Sequence, residues 1–260
     1  MRLAQAETGL QFLMQKRNKN NSSKKIEIHQ FNSNFFIGDD NNFNVLSLKS
    51  FSKANLSNED IIIIHFNKPP VIIPNKLFIK DNLNKYLSTN YELSNNLSVS
   101  YDETSNKLLY IVYEKKKNLE NLLEKNGIDF MSINYFTVIY EYLTALKKND
   151  EMSIYINLRN SLFDIIIYNK DEFLYFNTFH KKNKEEFLYY LLYVLKNFQA
   201  DVNSTKINFL GKFEEFNEYY DYTGLYAEII FIENNIQTIN NIKHQSPFFL
   251  NSIMENNFRF

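Results

Sequence analysis

Cysteine and tryptophan are absent from this 260-residue chain, and glycine and proline are sparse, at 5 and 4 residues. Without cysteine there is no disulfide framework, no thiolate nucleophile and no cysteine-based metal centre. Scarce glycine leaves few places where a phosphate can approach the backbone with no Cβ in the way. No Walker-type loop and no Gly-x-Ser-x-Gly elbow is present. The four histidines, His29, His65, His180 and His244, are far apart and lack metal-ligand spacing, so no metal site is expected. No apolar run reaches the roughly 18 residues that span a bilayer. The first 17 residues include Glu7 and lack the apolar core of a secretory signal. A soluble cytoplasmic protein is expected. An excess of one charge is missing too: 29 Lys and Arg face 30 Asp and Glu, a formal net charge of −1. Nucleic-acid binding, which draws on neutralised phosphates, is therefore not expected. The local lysine clusters at 115–117 and 181–184 read as solvated faces at helix starts.

What is abundant is aromatic. The chain holds 24 Phe and 18 Tyr, with 44% hydrophobic and 23% charged residues, which suits a folded chain with a full core rather than a disordered one. Asn is also frequent, in company with Lys, Ile, Phe and Tyr, as an AT-rich coding sequence would produce. Its positions among charges and strand-like runs mark surfaces and turns.

Two stretches share a plan. Residues 3–6 read as a strand, Glu7-Thr8-Gly9 as a turn and residues 10–15 as a second strand. A polar break leads to a third at 25–31. In the second stretch, residues 152–156, a turn at 157–161, residues 162–168, a break at 169–171 and residues 173–179 repeat that order. Residues 184–198 follow as a helix, with Phe187, Leu191, Leu195 and Phe198 at helical spacing. A strand at 206–210, Gly211, a helix over 214–220 and a last strand at 227–232 have the form of a parallel crossover. Between the two stretches, the continuous run Ile61 to Phe66 suits a strand covered on both faces. An extended segment at 71–73 leads through Pro74 to a helical pattern over 75–87. Strands at 97–101 and 108–113 and helices at 118–125 and 133–147 complete the first half. The chain is read as two lobes, 1–149 and 150–260.

The segments Pro70-Val71-Ile72-Ile73-Pro74-Asn75-Lys76-Leu77-Phe78, Phe163-Asp164-Ile165-Ile166-Ile167, Leu174-Tyr175-Phe176-Asn177-Thr178-Phe179 and Glu185 to Val194 resemble an uncharacterised bacterial family with an actin-like ATPase fold. The likeness covers essentially the whole chain and is strongest from Ile154 to Leu210. More distantly, the second lobe is similar to actin-like assembly proteins of pilus and secretion machines. The resemblance implies an α/β, actin-like (RNase H-like) duplicated fold. Each lobe would carry a three-stranded antiparallel meander plus parallel strands and helices. It implies no activity, since the family has none assigned.

Actin-like enzymes cradle phosphates on two hairpin turns, each with backbone N–H groups and an acid beside it that holds a metal ion. Here Glu7, Thr8 and Gly9 keep an acid and a glycine in the first turn. In the second, Asn157 has lost the charge and Arg159 stands in place of the glycine. The Gly-Gly that precedes an adenosine-contacting helix is reduced to Gly211 followed by Lys212. Arg159 and Asn160 offer another route to a phosphate. These seven positions form a degenerate nucleotide cleft, with no catalytic residue assigned and no turnover expected. The resulting reading is a non-catalytic scaffold or protein-interaction protein, with an unidentified protein partner. The alternative is a nucleotide-binding switch or residual ATPase of the actin-like class.

Four smaller expectations complete the reading. His65 is a satisfied core histidine. Asp164, mid-strand, lies on an exposed face. Tyr189, Tyr190 and Tyr193 pack in the core and at its rim rather than forming a stacking platform. The apolar tail at 246–254 packs back onto the second lobe.

Overall fold

The structure is a computed structural model that describes residues 10–17, 25–32, 61–65, 68–93, 98–115, 118–125, 131–146, 152–159, 161–201 and 204–232. The chain divides between Glu141 and Tyr142 into two compact units. The expected strand at 3–6, Glu7, Thr8, Gly9, Asn160 and the tail at 246–254 lie outside the described residues.

The first unit contains two sheets. Strands β1 (Leu10–Arg17), β2 (Lys25–Asn32) and β3 (Ile61–His65) come first in the chain. They are followed by β4 (Val71–Pro74), helix α1 (Leu83–Ser88), β5 (Ser98–Glu103) and β6 (Leu109–Lys115). Helix α2 (Asn118–Lys125), β7 (Met131–Asn134) and α3 (Tyr135–Ala145) complete the described elements, and α3 runs across the division between units. One sheet has the order β2-β1-β3-β7 and the other β4-β6-β5. Pro69 and Pro70 stand between β3 and β4. Neither offers an N–H to a ladder, and the chain changes sheet there.

In the larger sheet β1 is antiparallel to both β2 and β3, and β3 is parallel to β7. Both edges of β1 are thus occupied over Gln11 to Gln15. The described strands form a β1–β2 hairpin joined to β3, and the strand expected at 3–6 as the first of the meander lies outside the described residues. Two helix expectations change. The first two residues of the pattern at 133–147, Ile133 and Asn134, belong to β7, paired with Ile64 and His65, and the helix begins at Tyr135. The pattern at 75–87 resolves into two 3-10 turns and the short α1. The Ile79 N–H, which a continuous helix would have sent to Asn75 O, donates instead to the Tyr86 hydroxyl at 2.8 Å.

The second unit follows its sequence pattern closely. Strands β8 (Met152–Leu158), β9 (Leu162–Asn169) and β10 (Glu172–His180) form an antiparallel meander. Helix α4 (Lys184–Asn197), β11 (Lys206–Leu210), α5 (Asn217–Gly224) and β12 (Glu228–Ile232) follow. The sheet order is β10-β9-β8-β11-β12, with β11 parallel to both β8 and β12. Alternation puts Ile154, Ile156 and Leu158 of β8 and Phe163, Ile165 and Ile167 of β9 on one face. Phe187, Leu188, Leu191, Val194 and Leu195 of α4 pack against them. Each such fully buried side chain contributes about 1.5–3 kcal/mol of transfer free energy. The other face is also buried, from Ser153, Tyr155 and Asn157 on β8 to Leu162, Asp164, Ile166 and Tyr168 on β9. Among the described residues no helix is long and apolar enough to cross a membrane.

Candidate functional site

The turn between β8 and β9 sits at the C-terminal end of β8, next to the C-terminal end of the parallel strand β11. Open α/β sheets place their ligands at this end. Arg159 N–H donates to Leu162 O at 3.0 Å and closes the turn, and Lys181 N–H donates to Ser161 O at 2.9 Å, tying the end of β10 to it. The register pairs Asn157 with Asp164 and Asp164 with Thr178. One polar side chain from each of three neighbouring strands therefore lies in a single row. Asn157 Nδ2 donates to Asp164 Oδ2 at 2.8 Å, and Thr178 Oγ1 donates to Asp164 Oδ1 at 2.6 Å. Arg159 Nη2 reaches the same Oδ1 at 3.1 Å.

Asp164 is fully buried, as is Asn157, and Arg159 is 3% exposed. The expectation of an exposed Asp164 is thereby corrected. Its neighbours Phe163 and Ile165 turn to the α4 side, so Asp164 turns to the other face, which is buried as well. A carboxylate so placed requires strong donors, and among the described residues Asn157, Arg159 and Thr178 converge on it. The guanidinium proposed as a phosphate ligand thus has an internal carboxylate as its partner.

Gly211 follows β11 at the same end of the sheet. Its φ of +81° lies in the left-handed region, and an added Cβ would stand 2.5 Å from Phe213 Cε2. Here the missing side chain makes room for the ring of Phe213 in the same loop. Gly211 N–H donates to Ile232 O at 3.0 Å, and Tyr220 OH donates to Gly211 O at 3.4 Å. Lys181, expected on a solvated face, is only 6% exposed, with its Nζ 4.3 Å from the Tyr219 ring centroid and 5.2 Å from that of Phe216. Desolvated cation–π contacts of this kind offset part of the burial cost.

A family described as "Protein of unknown function (DUF3822)" matches residues 41–230, well over half of the chain. The chain belongs to this family. Among solved structures, it is similar to a Bacteroides thetaiotaomicron VPI-5482 protein described as having an actin-like ATPase fold and unknown function. The TM-score is 0.62 at 18% identity, over 75% of this chain and 72% of that one. That likeness establishes a mixed α/β, actin-like fold and nothing about activity. Weaker likenesses reach the PilM–PilN type IV pilus biogenesis complex, with TM-score 0.47, 8% identity, and 86% and 85% coverage of this chain and that one. They also reach the ethanolamine utilization protein EutJ from Carboxydothermus hydrogenoformans, with TM-score 0.31, 8% identity, and 44% and 54% coverage. No curated protein matches the sequence.

In this DUF3822 chain the structure brings Asn157, Arg159 and Gly211 to one end of one sheet. It adds Asp164 and Thr178, which the sequence reading did not place in the site. Hairpin register was the available signal, since a turn closed between Leu158 and Leu162 sets Asn157 opposite Asp164. The first unit holds a second polar cluster, at the C-terminal ends of the parallel strands β3 and β7. His65 Nε2 lies 3.0 Å from Ser132 Oγ and 3.5 Å from Glu120 Oε1. Lys115 Nζ donates to Glu120 Oε1 at 2.9 Å, and the Ser132 hydroxyl donates to the same oxygen. His65 is fully buried, in accord with a satisfied core histidine. Beside it, Asp102 accepts from Tyr113 OH at 2.9 Å, Asn134 N–H at 2.7 Å and Thr137 Oγ1 at 2.6 Å.

The electrostatics of this cluster are divided. Burial pushes the Asp102 carboxyl up to about 6, against the hydrogen bonds from Thr137, Asn134 and Tyr113. Burial also pushes Glu120 up, but His65, Ser132 and Lys115 outweigh it and bring the carboxyl down to about 2. The His65 imidazole is lowered by burial, against the pull of Glu120. Among the described residues, the partners of Asp102 are donors held on β6, β7 and α3. The arrangement clamps the start of α3 to β5.

On the outer face of α4, Tyr189 and Tyr193 are 63% and 54% exposed and stack at 6.4 Å. Only Tyr190 packs inward, against Phe179 at 5.1 Å. The expectation of core and rim packing therefore holds for Tyr190 and not for the other two.

Proposed function

We propose that this DUF3822 chain is a non-catalytic actin-like scaffold or protein-interaction protein of the cytoplasm, with an unidentified protein as its partner. The observation that carries the reading is the hydrogen-bonded row of Asn157, Asp164, Thr178 and Arg159 at the β8–β9 turn. In the position where an actin-like turn presents an acid and a glycine to a phosphate, the polar groups bond one another. The tight fit of Phe213 over Gly211 supports the same reading for the next loop. The proposal takes the chain as two lobes, 1–149 and 150–260, derived from one actin-like frame. Support for duplication is the parallel pairing in each unit, β3 with β7 and β11 with β8 and β12. The alternative, a nucleotide-binding switch with a site drawn from Glu7, Thr8, Gly9, Asn157, Arg159, Asn160 and Gly211, makes an opposite prediction.

A thermal-shift panel with millimolar ATP and GTP, each with Mg²⁺, separates the two. A ligand at 100 times its Kd stabilises a fold by about 2.7 kcal/mol, or about 5–10 °C for a chain of this size. No shift is expected. A saturable rise with either nucleotide would establish the switch instead. Affinity capture that recovers no stoichiometric partner across several growth conditions would count against the scaffold.

A further inference from the structure

We infer that the β8–β9 turn is an anion site whose occupant is the protein's own Asp164. The inference rests on the reading above, in which this turn binds no external phosphate, and adds what takes the phosphate's place. Three donors of different chemistry, a guanidinium, a carboxamide and a hydroxyl, converge on one carboxylate from β8, its following turn and β10. Such a set is what a small oxyanion requires: one full positive charge and two directional neutral donors, in a site withdrawn from water. Asp164 is 0% exposed and Arg159 3% exposed, so the pair is screened little by salt. The carboxylate reaches the donors from the adjacent strand because the hairpin register sets Asp164 opposite Asn157 and Thr178. It supplies the charge that a bound anion would supply and holds the Arg159 guanidinium. The ligand class that the donors fit, once Asp164 is shortened, is a carboxylate-sized monovalent oxyanion such as formate.

The test uses the full chain with Asp164→Ala, which leaves the Cβ and removes the carboxylate. Melting temperatures are compared in potassium formate and potassium chloride at equal ionic strength. The variant should lose on the order of 10 °C in chloride, since a buried charge has lost its partner. Formate should restore part of the loss saturably, and the wild-type chain should respond to neither salt. The double variant Arg159→Met/Asp164→Ala should melt above the single variant and be blind to formate. If the single variant does not fold in chloride, refolding yield replaces melting temperature, with recovery in formate alone as the expected result. Equal responses to formate and chloride, no recovery in either, or a formate response that survives loss of Arg159 would overturn the inference. A nucleotide shift in the wild-type chain would sink the scaffold reading and leave this result standing, so the two failures are distinguishable.

Discussion

Gly211 shows how one residue is held by its surroundings on two counts at once. A φ of +81° excludes most L side chains at a cost of about 1–2 kcal/mol, and the Cβ position lies 2.5 Å from Phe213 Cε2. Gly211→Ala should therefore destabilise the chain by about 2 kcal/mol or more in urea denaturation. Gly211→Ala/Phe213→Ala should cost less than the sum of the two single changes, because the alanine then replaces the ring in the shared space. A strictly additive result would mean that backbone conformation alone requires the glycine. The position stands out in the sequence because the chain has so few glycines; what fills its side-chain space depends on how the loop folds back. Asp164 is the converse case. Its residue type suggests water, yet the pleat turns it to a buried face where Asn157, Arg159 and Thr178 meet it.

Helix α4 has its start and its buried stripe written in adjacent residues. Asn183 accepts from Glu186 N–H at 2.9 Å, and Glu186 reaches back to Lys182 N–H at 2.8 Å, a reciprocal cap. Phe187, Leu191 and Leu195 then fall one turn apart on the core face. Asn183→Ala should cost about 1 kcal/mol and Leu191→Ala about 2–5 kcal/mol. Tyr189→Ala, on the exposed face, should stay within about 0.5 kcal/mol. Denaturant midpoints check the order, and a Tyr189 effect as large as that of Leu191 would show that the outer face is covered. Helix α3 was less legible. Its pattern continues into the apolar residues before Tyr135, and only the pairing of β7 with β3 makes a strand of residues 131–134. Short apolar runs suit either state until a partner strand decides.

For the whole chain, the polar cluster of the first unit sets opposing slopes in stability against pH. Asp102 binds its proton more tightly in the folded state, pushed up to about 6 from an ordinary value of 3.8. Its contribution is therefore greatest at low pH and is lost as pH rises to about 6. Glu120, at about 2, does the reverse: its stabilisation is complete above about 4.5 and is lost as pH falls toward 2. His65, lowered from 6.5 by burial, adds stability that disappears as pH falls below its unfolded value. Asp102→Asn should thus gain on the wild type by about 2 kcal/mol between pH 4 and pH 7, less the cost of one altered hydrogen bond. Glu120→Gln should lose most of the wild type's advantage above pH 4.5 and little at pH 2. Melting temperatures of both variants from pH 3 to pH 8 test the signs. Parallel profiles for wild type and Asp102→Asn would show that the carboxyl is not the titrating group.

Local spacing was enough to order the second unit. Alternation of period two and helical repeats of 3.6 residues depend only on near neighbours, so the β8–β9–β10 meander, α4 and the β11–α5–β12 crossover were legible in the sequence. The family likeness is strongest over the same stretches, with Pro70 to Phe78 of the first unit added to them. Tertiary structure alone decided which strand lies beside β1, where α3 begins and which face of β9 carries Asp164 into the interior. It also assembled the His65, Ser132 and Glu120 cluster, whose members stand on three elements and are 67 residues apart between His65 and Ser132. The physical reason is the same throughout. A buried charge or a strand edge is stabilised by whichever group meets it in space, and local sequence spacing carries no record of that partner.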